Sequence, residues 1–335
     1  MSGPIGIAGL GLIGASLLRG LAERGRPVRG YDADPAVAGA ARAEGHPTAE
    51  SPQDLAAEAE VVFVAVPPSV AALAVSAILR ASDEVVVADA TSFKGAVVDE
   101  VTAAAPGAVD RFVPAHPLAG AEGSGWDASR TDLLAGAVWT LCPPVPAAPA
   151  GPLCRVAEAL DAFDSRLLVC DPAAHDDAVA RTSHVPHVMA QALAHLVGDG
   201  DVPLRAALSG GSFRDATRVA RSDARLWADV LGANRDAVLP ALDDLIDGLG
   251  HLRDAIDAGD GDGLAGHWQA GGELREWVER VRWGEQTWRG ETAPWPAWDR
   301  LLELGREGRT VRRLRPSGPD AVEFEVADPR APGGP

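Results

Sequence analysis

Ile5-Gly6-Ile7-Ala8-Gly9-Leu10-Gly11-Leu12-Ile13-Gly14 joins a short apolar run to a turn of the form G-x-G-x-x-G. In such a turn the first glycine permits a tight bend, the second lets the backbone approach a pyrophosphate, and the third lets the next helix pack closely on the strand. The amino terminus of that helix then faces the anion. The segment therefore predicts a dinucleotide site that contains Gly9, Gly11, Leu12, Ile13 and Gly14.

A second apolar run, residues 28–31, is followed by Asp32, which lies 18 residues after Gly14. A carboxylate at this point accepts hydrogen bonds from the ribose hydroxyls of NAD and repels the 2′-phosphate of NADP. Asp32 therefore predicts NAD as the cofactor. The alternative is a glycine-rich turn in an unrelated α/β protein.

Short β-rich runs alternate with helical patterns through the first 170 residues, which is typical of a parallel sheet with crossover helices. The predicted strands are residues 5–8, 28–31, 61–66, 85–88, 112–114, 138–142 and 166–169. The predicted helices are residues 13–24, 35–44, 69–79, 93–104 and 153–163. The predicted fold class is α/β, with an N-terminal Rossmann-type doubly wound parallel sheet followed by an all-helical C-terminal domain.

Three segments are predicted along the chain. Residues 1–170 form the NAD-binding Rossmann domain. Helical patterns over 179–196, 216–230, 237–256 and 264–281 predict a helical domain for substrate binding and dimerisation at 171–285. Residues 286–335 are rich in Arg, Pro and Trp and are predicted as a C-terminal extension, partly disordered. This segment is short for a regulatory domain of the ACT type and lacks its alternating pattern, so we predict no such domain.

Composition limits the class of partner. The chain has 335 residues, of which 47% are hydrophobic and 23% charged, a profile typical of a globular protein with two domains. Its net charge of −18 would repel a nucleic-acid backbone or an anionic membrane surface. No apolar stretch reaches the roughly 18 residues that a spanning helix needs. We therefore expect a cytoplasmic protein that binds neither nucleic acid nor membrane, with its three cysteines as small buried hydrophobes.

Two polar segments follow predicted strands, where ligands bind in open α/β sheets. Asp89-Ala90-Thr91-Ser92-Phe93-Lys94-Gly95 contains the only lysine of the chain. Lys94 is a candidate for substrate binding, and the alternative is a solvated lysine beside a helix cap formed by Ser92. His116 follows the next strand and precedes a glycine-rich loop. A neutral imidazole there can accept a hydroxyl proton, and a structural histidine is the alternative.

The helical domain supplies further candidates. His184 and His187 lie three residues apart, but no carboxylate or cysteine at ligand spacing completes a metal site, and we predict none. Arg214 and Arg218 lie four residues apart on one face of a predicted helix. One guanidinium would suit a substrate carboxylate through a bidentate contact. For Arg214, an ion pair with Asp215 is the favoured prediction.

Together these motifs resemble those of the prephenate/arogenate dehydrogenase family, over about residues 4–285. The five ordered segments that carry the resemblance are the fingerprint from Gly9 to Ser16, Ser92-Phe93-Lys94-Gly95, His116-Pro117-Leu118-Ala119-Gly120 with Glu122 and Ser124-Gly125, Ser183-His184-Val185-Pro186-His187, and Phe213-Arg214-Asp215-Ala216-Thr217-Arg218. Phe93 differs from the small aliphatic residue common in its turn. Trp126 is larger than the residue usual after Ser-Gly.

The resemblance implies oxidative decarboxylation of prephenate to 4-hydroxyphenylpyruvate with hydride transfer to NAD⁺, in tyrosine biosynthesis. His116 would bind the ring hydroxyl and act as the base, and Ser92 would share its hydrogen-bond network. Arg218 would bind a substrate carboxylate. The other side chains that the resemblance places near the substrate are His187, His184, Glu122 and Trp227. It also implies a homodimer formed through the helical domains.

Three alternatives stay open. Arogenate carries an ammonium in place of the side-chain keto group of prephenate, so an acidic pocket residue could select it. A dehydrogenase of the β-hydroxyacid type shares a Rossmann half and a helical domain, but usually relies on a lysine in the helical domain, and residues 171–335 contain none. The third alternative is a nucleotide-sensing regulator built on the same Rossmann half. Such a protein would not need Ser92, His116 and Arg218 to lie close together.

Overall fold

The parallel strands and helices predicted for the first half are present in a computed structural model of the chain, which describes residues 3–121, 123–143, 149–198, 200–318 and 320–328. The described residues divide into two units. Unit 1 lies within Met1–Pro172 and Ala265–Pro335, and unit 2 within Ala173–Leu264. Glu122 and residues 329–335, where we expected a frayed end, lie outside the described residues.

Five parallel strands form the first sheet of unit 1, in the order β2-β1-β3-β4-β5. Their bounds are β1 (Ile5–Ala8), β2 (Val28–Tyr31), β3 (Val61–Val64), β4 (Val86–Asp89) and β5 (Phe112–Val113). Strands β1, β3 and β4 are buried along their whole length, as parallel strands are when helices cover both sheet faces. Strand order reverses at β1, which is flanked by β2 and β3, and ligands of open α/β sheets bind at such a point. The predicted Rossmann-type sheet is confirmed.

Five helices lie between the strands of the first sheet, and a sixth follows later in unit 1. They are α1 (Leu12–Glu23), α2 (Pro35–Ala43), α3 (Pro52–Glu58), α4 (Pro68–Ala81), α5 (Gly95–Ala104) and α6 (Ala150–Asp161). Two of them begin with a side-chain cap and a proline: Asp34 accepts a hydrogen bond from the Ala36 amide, and Ser51 accepts one from the Asp54 amide. The second of these caps starts α3, which the periodicity of the sequence did not predict.

Unit 2 is helical, as predicted: the helices predicted over 237–256 and 264–281 are longer than expected, and a π-helical turn interrupts the helix predicted over 179–196. The helices are α7 (Pro172–Val179), α8 (Val185–Gly198), α9 (Val202–Leu208), α10 (Gly211–Ala216), α11 (Ala224–Ala233), α12 (Arg235–Asp257) and α13 (Gly261–Trp283), which extends beyond the unit. A π-helical turn, Ala180–His184, joins α7 to α8. None of these helices is long and apolar enough to cross a membrane, nor is any other in the described part of the chain.

The predicted helix over 216–230 is wrong. Helix α10 ends at Ala216, a 3-10 turn covers Arg218–Arg221, and α11 begins after Asp223. Asp223 starts α11 because its side chain accepts a hydrogen bond of 2.7 Å from the Leu226 amide. Arg214 and Arg218 therefore lie on different elements rather than on one helix face.

The second sheet of unit 1 has six strands in the order β6-β7-β8-β10-β11-β9. They are β6 (Ala115–Pro117), β7 (Val138–Leu141), β8 (Arg166–Val169), β9 (Thr287–Pro294), β10 (Val311–Pro316) and β11 (Ala321–Asp328), with helix α14 (Trp298–Arg306) after β9. Strands β7 and β8 are parallel and the other pairs are antiparallel. Residues 138–142 and 166–169 were predicted as strands, but the single sheet we expected is in fact two.

The prediction that residues 286–335 form a separate, partly disordered extension is contradicted for 287–316 and 321–328. Side chains of α14, β10 and β11 belong to the buried cluster that contains β1 and α1. Helix α14 packs directly on β8, since a Cβ at Gly305 would lie 1.8 Å from the Val169 carbonyl oxygen. Residues 321–328 have the alternating pattern of a strand in their sequence, since the buried Val322, Phe324 and Val326 alternate with glutamates.

Candidate active site

The glycine turn after β1 has the geometry that a dinucleotide site requires. Gly9 has a φ of +88°, and a Cβ there would lie 2.6 Å from the Ala65 carbonyl oxygen. A Cβ at Gly14 would lie 1.8 Å from the Gly9 carbonyl oxygen, so α1 packs against the turn without room for a side chain. At Gly11 an added Cβ would meet nothing within 4 Å. The backbone at Gly11 is therefore open to close approach by a ligand.

The first turn of α1 can receive the pyrophosphate. Its N-cap, Gly11, makes no side-chain capping bond, and the first turn, which includes Leu12 and Ile13, contains no acidic residue. The backbone amides there suit an anion. Asp32 accepts hydrogen bonds from the Leu10 amide at 2.7 Å and from the Asp34 amide at 2.9 Å. A carboxylate has about four acceptor sites, so ribose hydroxyls still find acceptors on Asp32. The residues present fit a dinucleotide.

Lys94 is fully buried, so the alternative of a solvated lysine is wrong, while substrate binding by Lys94 stays a prediction. Its ammonium donates hydrogen bonds to the Asp89 carboxylate and, at 2.6 Å, to the Ala115 carbonyl oxygen. Asp89 is also fully buried and accepts a bond of 3.0 Å from the Ala115 amide, besides bonds from the Thr91 amide and hydroxyl. The physical reason is compensation of charge, because a buried ammonium needs a carboxylate partner.

The Asp89–Lys94 pair holds the strand that carries His116. Both groups bond to the backbone of Ala115, one residue before His116. His116 lies on β6 opposite Thr140 of β7, and its side chain is half-buried. Ser92 lies between Asp89 and Lys94 in the same turn and is also half-buried. Unit 1 therefore brings the Ser92 turn and the His116 strand together through one buried ion pair.

The two departures from the family pattern are accommodated inside unit 1. Phe93 is buried in the core of the first sheet. Trp126 is 6% exposed, the Arg19 guanidinium lies over its ring at 4.1 Å, and its indole N–H donates to Glu44 at 3.0 Å. Both side chains therefore act as packing residues.

In unit 2 the structure brings three of the predicted side chains together. His187 stacks on Trp227 with ring centroids 3.6 Å apart and an angle of 23° between the planes. The Nδ1 of His187 lies 2.8 Å from the Ser183 carbonyl oxygen, so it donates, and neutral His187 keeps an acceptor lone pair on Nε2. Burial lowers the pKa of His187; the bond to Ser183 opposes this, and the charge of Arg218 adds to the lowering. Arg218 itself is exposed on its 3-10 turn.

His184 lies deeper in the same unit. Its side chain is fully buried, and its ring meets Trp227 edge to face, with centroids 5.8 Å apart at 78°. Burial lowers the pKa of His184 to about 4, so its ring is neutral at neutral pH. Its Nδ1 lies 3.0 Å from the side-chain nitrogen of Asn234. Asn234 is the only asparagine of the chain, but it belongs to none of the motifs that predicted the site.

Arg214 forms the predicted ion pair with Asp215, at 3.9 Å and with both side chains exposed. Asp89 lies in the Ser92 turn, but no role was predicted for it. Its signal was available in the sequence, because a carboxylate at the end of an apolar strand needs a partner, and the only lysine of the chain lies five residues away.

Unit 1 contains a glycine turn that fits a dinucleotide and, on β6 of the second sheet, a half-buried histidine, a combination that suits a nucleotide-dependent oxidoreductase. Two family models match the chain: the nucleotide-binding domain of prephenate dehydrogenase over residues 17–169 and the dimerization domain of prephenate dehydrogenase over residues 171–270. The chain belongs to the prephenate dehydrogenase family, as its motifs predicted. The first match begins after Gly14, so the glycine turn is an independent observation.

Similar proteins agree with this membership. The chain is 35% identical to cyclohexadienyl dehydrogenase of Zymomonas mobilis over 81% of its own length and 94% of that protein. A crystal structure of prephenate dehydrogenase from A. aeolicus with hydroxyphenyl propionate and NAD⁺ matches with a TM-score of 0.75 and 25% identity, over 83% of this chain and 99% of that one. Synechocystis arogenate dehydrogenase matches with a TM-score of 0.71 and 26% identity, over 82% and 99%. The nucleotide-binding match and the NAD⁺-bound relative support the NAD prediction.

Proposed function

We propose that this protein catalyses the oxidative decarboxylation of prephenate to 4-hydroxyphenylpyruvate, with NAD⁺ as hydride acceptor, in tyrosine biosynthesis. The observation that carries the proposal is the membership of both halves of the chain in the prephenate dehydrogenase family. The geometry of each unit supplies groups of the required chemistry: a nucleotide turn and an imidazole in unit 1, and a guanidinium with two neutral imidazoles in unit 2.

Prephenate is preferred to arogenate on electrostatic grounds. The guanidinium of Arg218 is the charge that acts on His187, and a cation beside the substrate repels the ammonium of arogenate but not the neutral keto group of prephenate. Arogenate dehydrogenase activity is the second candidate, because the chain resembles the Synechocystis arogenate dehydrogenase as well.

In the proposed reaction His116 accepts the proton of the ring hydroxyl while hydride leaves the carbon that bears it. The carbon–carbon bond to the ring carboxylate then breaks, CO₂ departs, and its electron pair completes the aromatic ring. The phenolic oxygen recovers a proton. Bound NAD⁺ supplies the hydride acceptor, and Gly9, Gly11, Leu12, Ile13, Gly14 and Asp32 would hold it. Ser92 would hydrogen-bond to the hydroxyl region.

The proposed roles in unit 2 concern binding. Arg218 would bind a substrate carboxylate, and its exposure leaves the guanidinium accessible. His187 would accept a hydrogen bond at Nε2, with Trp227 fixing the plane of its ring. His184 would hold the Trp227 ring in place through its edge-to-face contact. Glu122, six residues after His116 in the sequence, is proposed as a substrate-side acid.

We further propose a homodimer formed through the helical domain and a cytoplasmic location, where NAD⁺ is available. The matched family model is described as a dimerization domain. In the isolated chain, helices α8, α9 and α12 expose large apolar side chains, among them Leu196, Leu208 and Ile256. Burial of such side chains in a subunit interface would remove apolar surface from water.

The proposal is tested with purified protein by four parallel assays, in which prephenate or arogenate is offered with NAD⁺ or NADP⁺ and the absorbance of the reduced cofactor is followed. We expect the highest kcat/KM with prephenate and NAD⁺. Reduction with arogenate alone would transfer the proposal to the second candidate, and reduction with neither substrate would overturn both.

Arg218→Ala is expected to raise KM for prephenate about 10- to 100-fold, since a hydrogen bond to a charged group contributes about 1.5–3 kcal/mol. The Kd for NAD⁺ should stay unchanged, because the proposed nucleotide residues lie in unit 1. Steady-state kinetics and NAD⁺ titration measure the two effects. Arg214→Ala is the matched control, since its exposed side chain is paired with Asp215. Equal KM values for the two variants would remove the carboxylate role of Arg218.

Asp32→Ala is expected to weaken NAD⁺ binding about tenfold or more and to raise the NADP⁺/NAD⁺ ratio of kcat/KM, because the carboxylate both accepts from the ribose and repels a 2′-phosphate. Fluorescence titration gives the Kd values. Asp34→Ala is the control, because Asp34 lies two residues after Asp32, is exposed, and caps α2. If Asp34→Ala changes the cofactor preference as much as Asp32→Ala does, the effect is structural.

A further inference from the structure

Asn234 uses its side-chain amide to join two elements of unit 2. Its nitrogen lies 3.0 Å from the backbone carbonyl oxygen of Asp176, at the carboxyl-terminal half of α7. The same nitrogen lies 3.0 Å from Nδ1 of His184, on the π-helical turn. Asn234 is 4% exposed and His184 is fully buried, so both contacts are shielded from water.

These two contacts determine where His184 carries its proton. A carbonyl oxygen can only accept a hydrogen bond, so the Asn234 atom that faces Asp176 must be the NH₂ group. An amide nitrogen can only donate, so Nδ1 of His184 must accept from it. A neutral imidazole has one N–H, and in His184 that proton must therefore lie on Nε2.

The same contacts oppose a charged His184. An imidazolium carries a proton on both nitrogens and would direct its Nδ1–H at the NH₂ group of Asn234. The ionisable groups around the ring are His175 and Asp176 on α7 and His187 on α8. Asp176, the only acid among them, also lies 2.8 Å from Nδ1 of His175. Burial outweighs the attraction of Asp176, and the pKa of His184 falls to about 4.

His184 in turn contacts the pair of rings at the proposed substrate subsite. Its ring meets Trp227 edge to face, and Trp227 stacks on His187. Edge-to-face contacts depend on ring orientation. A change in the charge or rotation of His184 would therefore move the indole and, through it, the plane of His187.

We infer that Asn234 is a positioning residue that fixes His184 as a neutral imidazole protonated on Nε2, and thereby fixes the Trp227–His187 stack for substrate binding. The effect on substrate rests on the proposed function, whereas the tautomer and charge of His184 do not.

The test is a pH titration of the full-length protein by long-range ¹H–¹⁵N NMR of its histidine rings, with His184→Gln used to assign the His184 signals. In the wild-type protein we expect the Nε2–H tautomer of His184 to persist as the pH falls through 6. In Asn234→Asp, a carboxylate replaces the donor, and we expect the proton on Nδ1 and a titration midpoint at least one pH unit higher. A wild-type His184 protonated on Nδ1, or charged at pH 6, would overturn the inference even if Asn234→Asp does not fold.

Kinetics then test the link to substrate. Asn234→Asp should raise KM for prephenate about 3- to 10-fold, leave the Kd for NAD⁺ unchanged, and make KM dependent on the ionisation of His184. Asp229→Asn, on the same helix as Trp227, is the control for a charge change in unit 2. Unchanged KM in folded Asn234→Asp would overturn the positioning role. If no variant, nor the wild type, reduces NAD⁺ with prephenate, the proposed function fails while the NMR result still stands.

Discussion

His116→Asn is expected to lower kcat by about 10²-fold or more, while the Kd for NAD⁺ changes little. Positioned general bases contribute about 10²–10⁴-fold to enzymatic rates. Asparagine occupies a similar volume and can still hydrogen-bond to the substrate hydroxyl, but it cannot accept the proton. The loss should therefore fall on kcat rather than on the binding of either ligand.

The effect on kcat can be separated from NAD⁺ binding because the residues proposed for the two roles lie on different elements. His116 lies on β6 of the second sheet, whereas the proposed nucleotide residues lie in the turn after β1 and after β2 of the first sheet. The backbone before His116 is held by Asp89 and Lys94, so we expect the strand to keep its position in the variant.

Rates from pH 5 to 9 and NAD⁺ titrations check this prediction. We expect the acid limb of the wild-type kcat profile to be absent from the residual activity of His116→Asn. His195→Asn, an exposed histidine of α8, is the matched control. Full turnover by His116→Asn would assign this residue a structural role and require another base.

Lys94→Met is expected to lower the free energy of unfolding by roughly 3–5 kcal/mol, because removal of one partner of a buried ion pair leaves the other charge uncompensated. Asp89 would remain fully buried with only neutral donors around it. The Ala115 carbonyl oxygen would also lose a hydrogen bond. Since both groups hold the strand before His116, any folded fraction should also have reduced kcat.

Lys94→Arg separates charge from shape at this site. The chain contains 29 arginines and one lysine, so the composition itself favours arginine, yet lysine occupies this fully buried position. The ammonium is a compact group with three donors, and a guanidinium is larger and planar. We expect Lys94→Arg to be destabilising as well, though less than Lys94→Met.

Chemical denaturation followed by circular dichroism measures both variants. Arg214→Ala is the control, because its ion pair is exposed and should contribute little to stability. If Lys94→Met unfolds at the wild-type denaturant concentration, the buried pair is not a structural requirement, and the predicted substrate role of Lys94 would be favoured.

The nucleotide half of the protein could be read from its sequence because its constraints are local. The glycines at 9 and 14 are fixed by close backbone approaches, and apolar strands with intervening helices indicate a parallel sheet. The family resemblance likewise rested on motifs contiguous in the chain. The stack of His187 on Trp227 joins residues 40 apart, and the resemblance alone placed both near the substrate.

The features that were missed depend on contacts between distant segments. The second sheet pairs β8 with β10 across more than 140 residues, and no local periodicity encodes such a pairing. Lys94 was singled out for its rarity, but its bonds to Asp89 and Ala115 were not predicted, because the sequence does not show that Ala115 lies next to it. Asn234 was missed for the same reason, since its partners on α7 and on the π-helical turn are about 50 residues away.

The central claim is that hydride transfer by this protein is coupled to loss of the ring carboxylate. The most direct measurement offers prephenate labelled with ¹⁴C in that carboxylate, together with NAD⁺, and quantifies trapped CO₂, reduced cofactor and 4-hydroxyphenylpyruvate in one reaction. We predict equal molar amounts of all three. Reduced cofactor without labelled CO₂, or no reduction of NAD⁺ by prephenate, would contradict the claim.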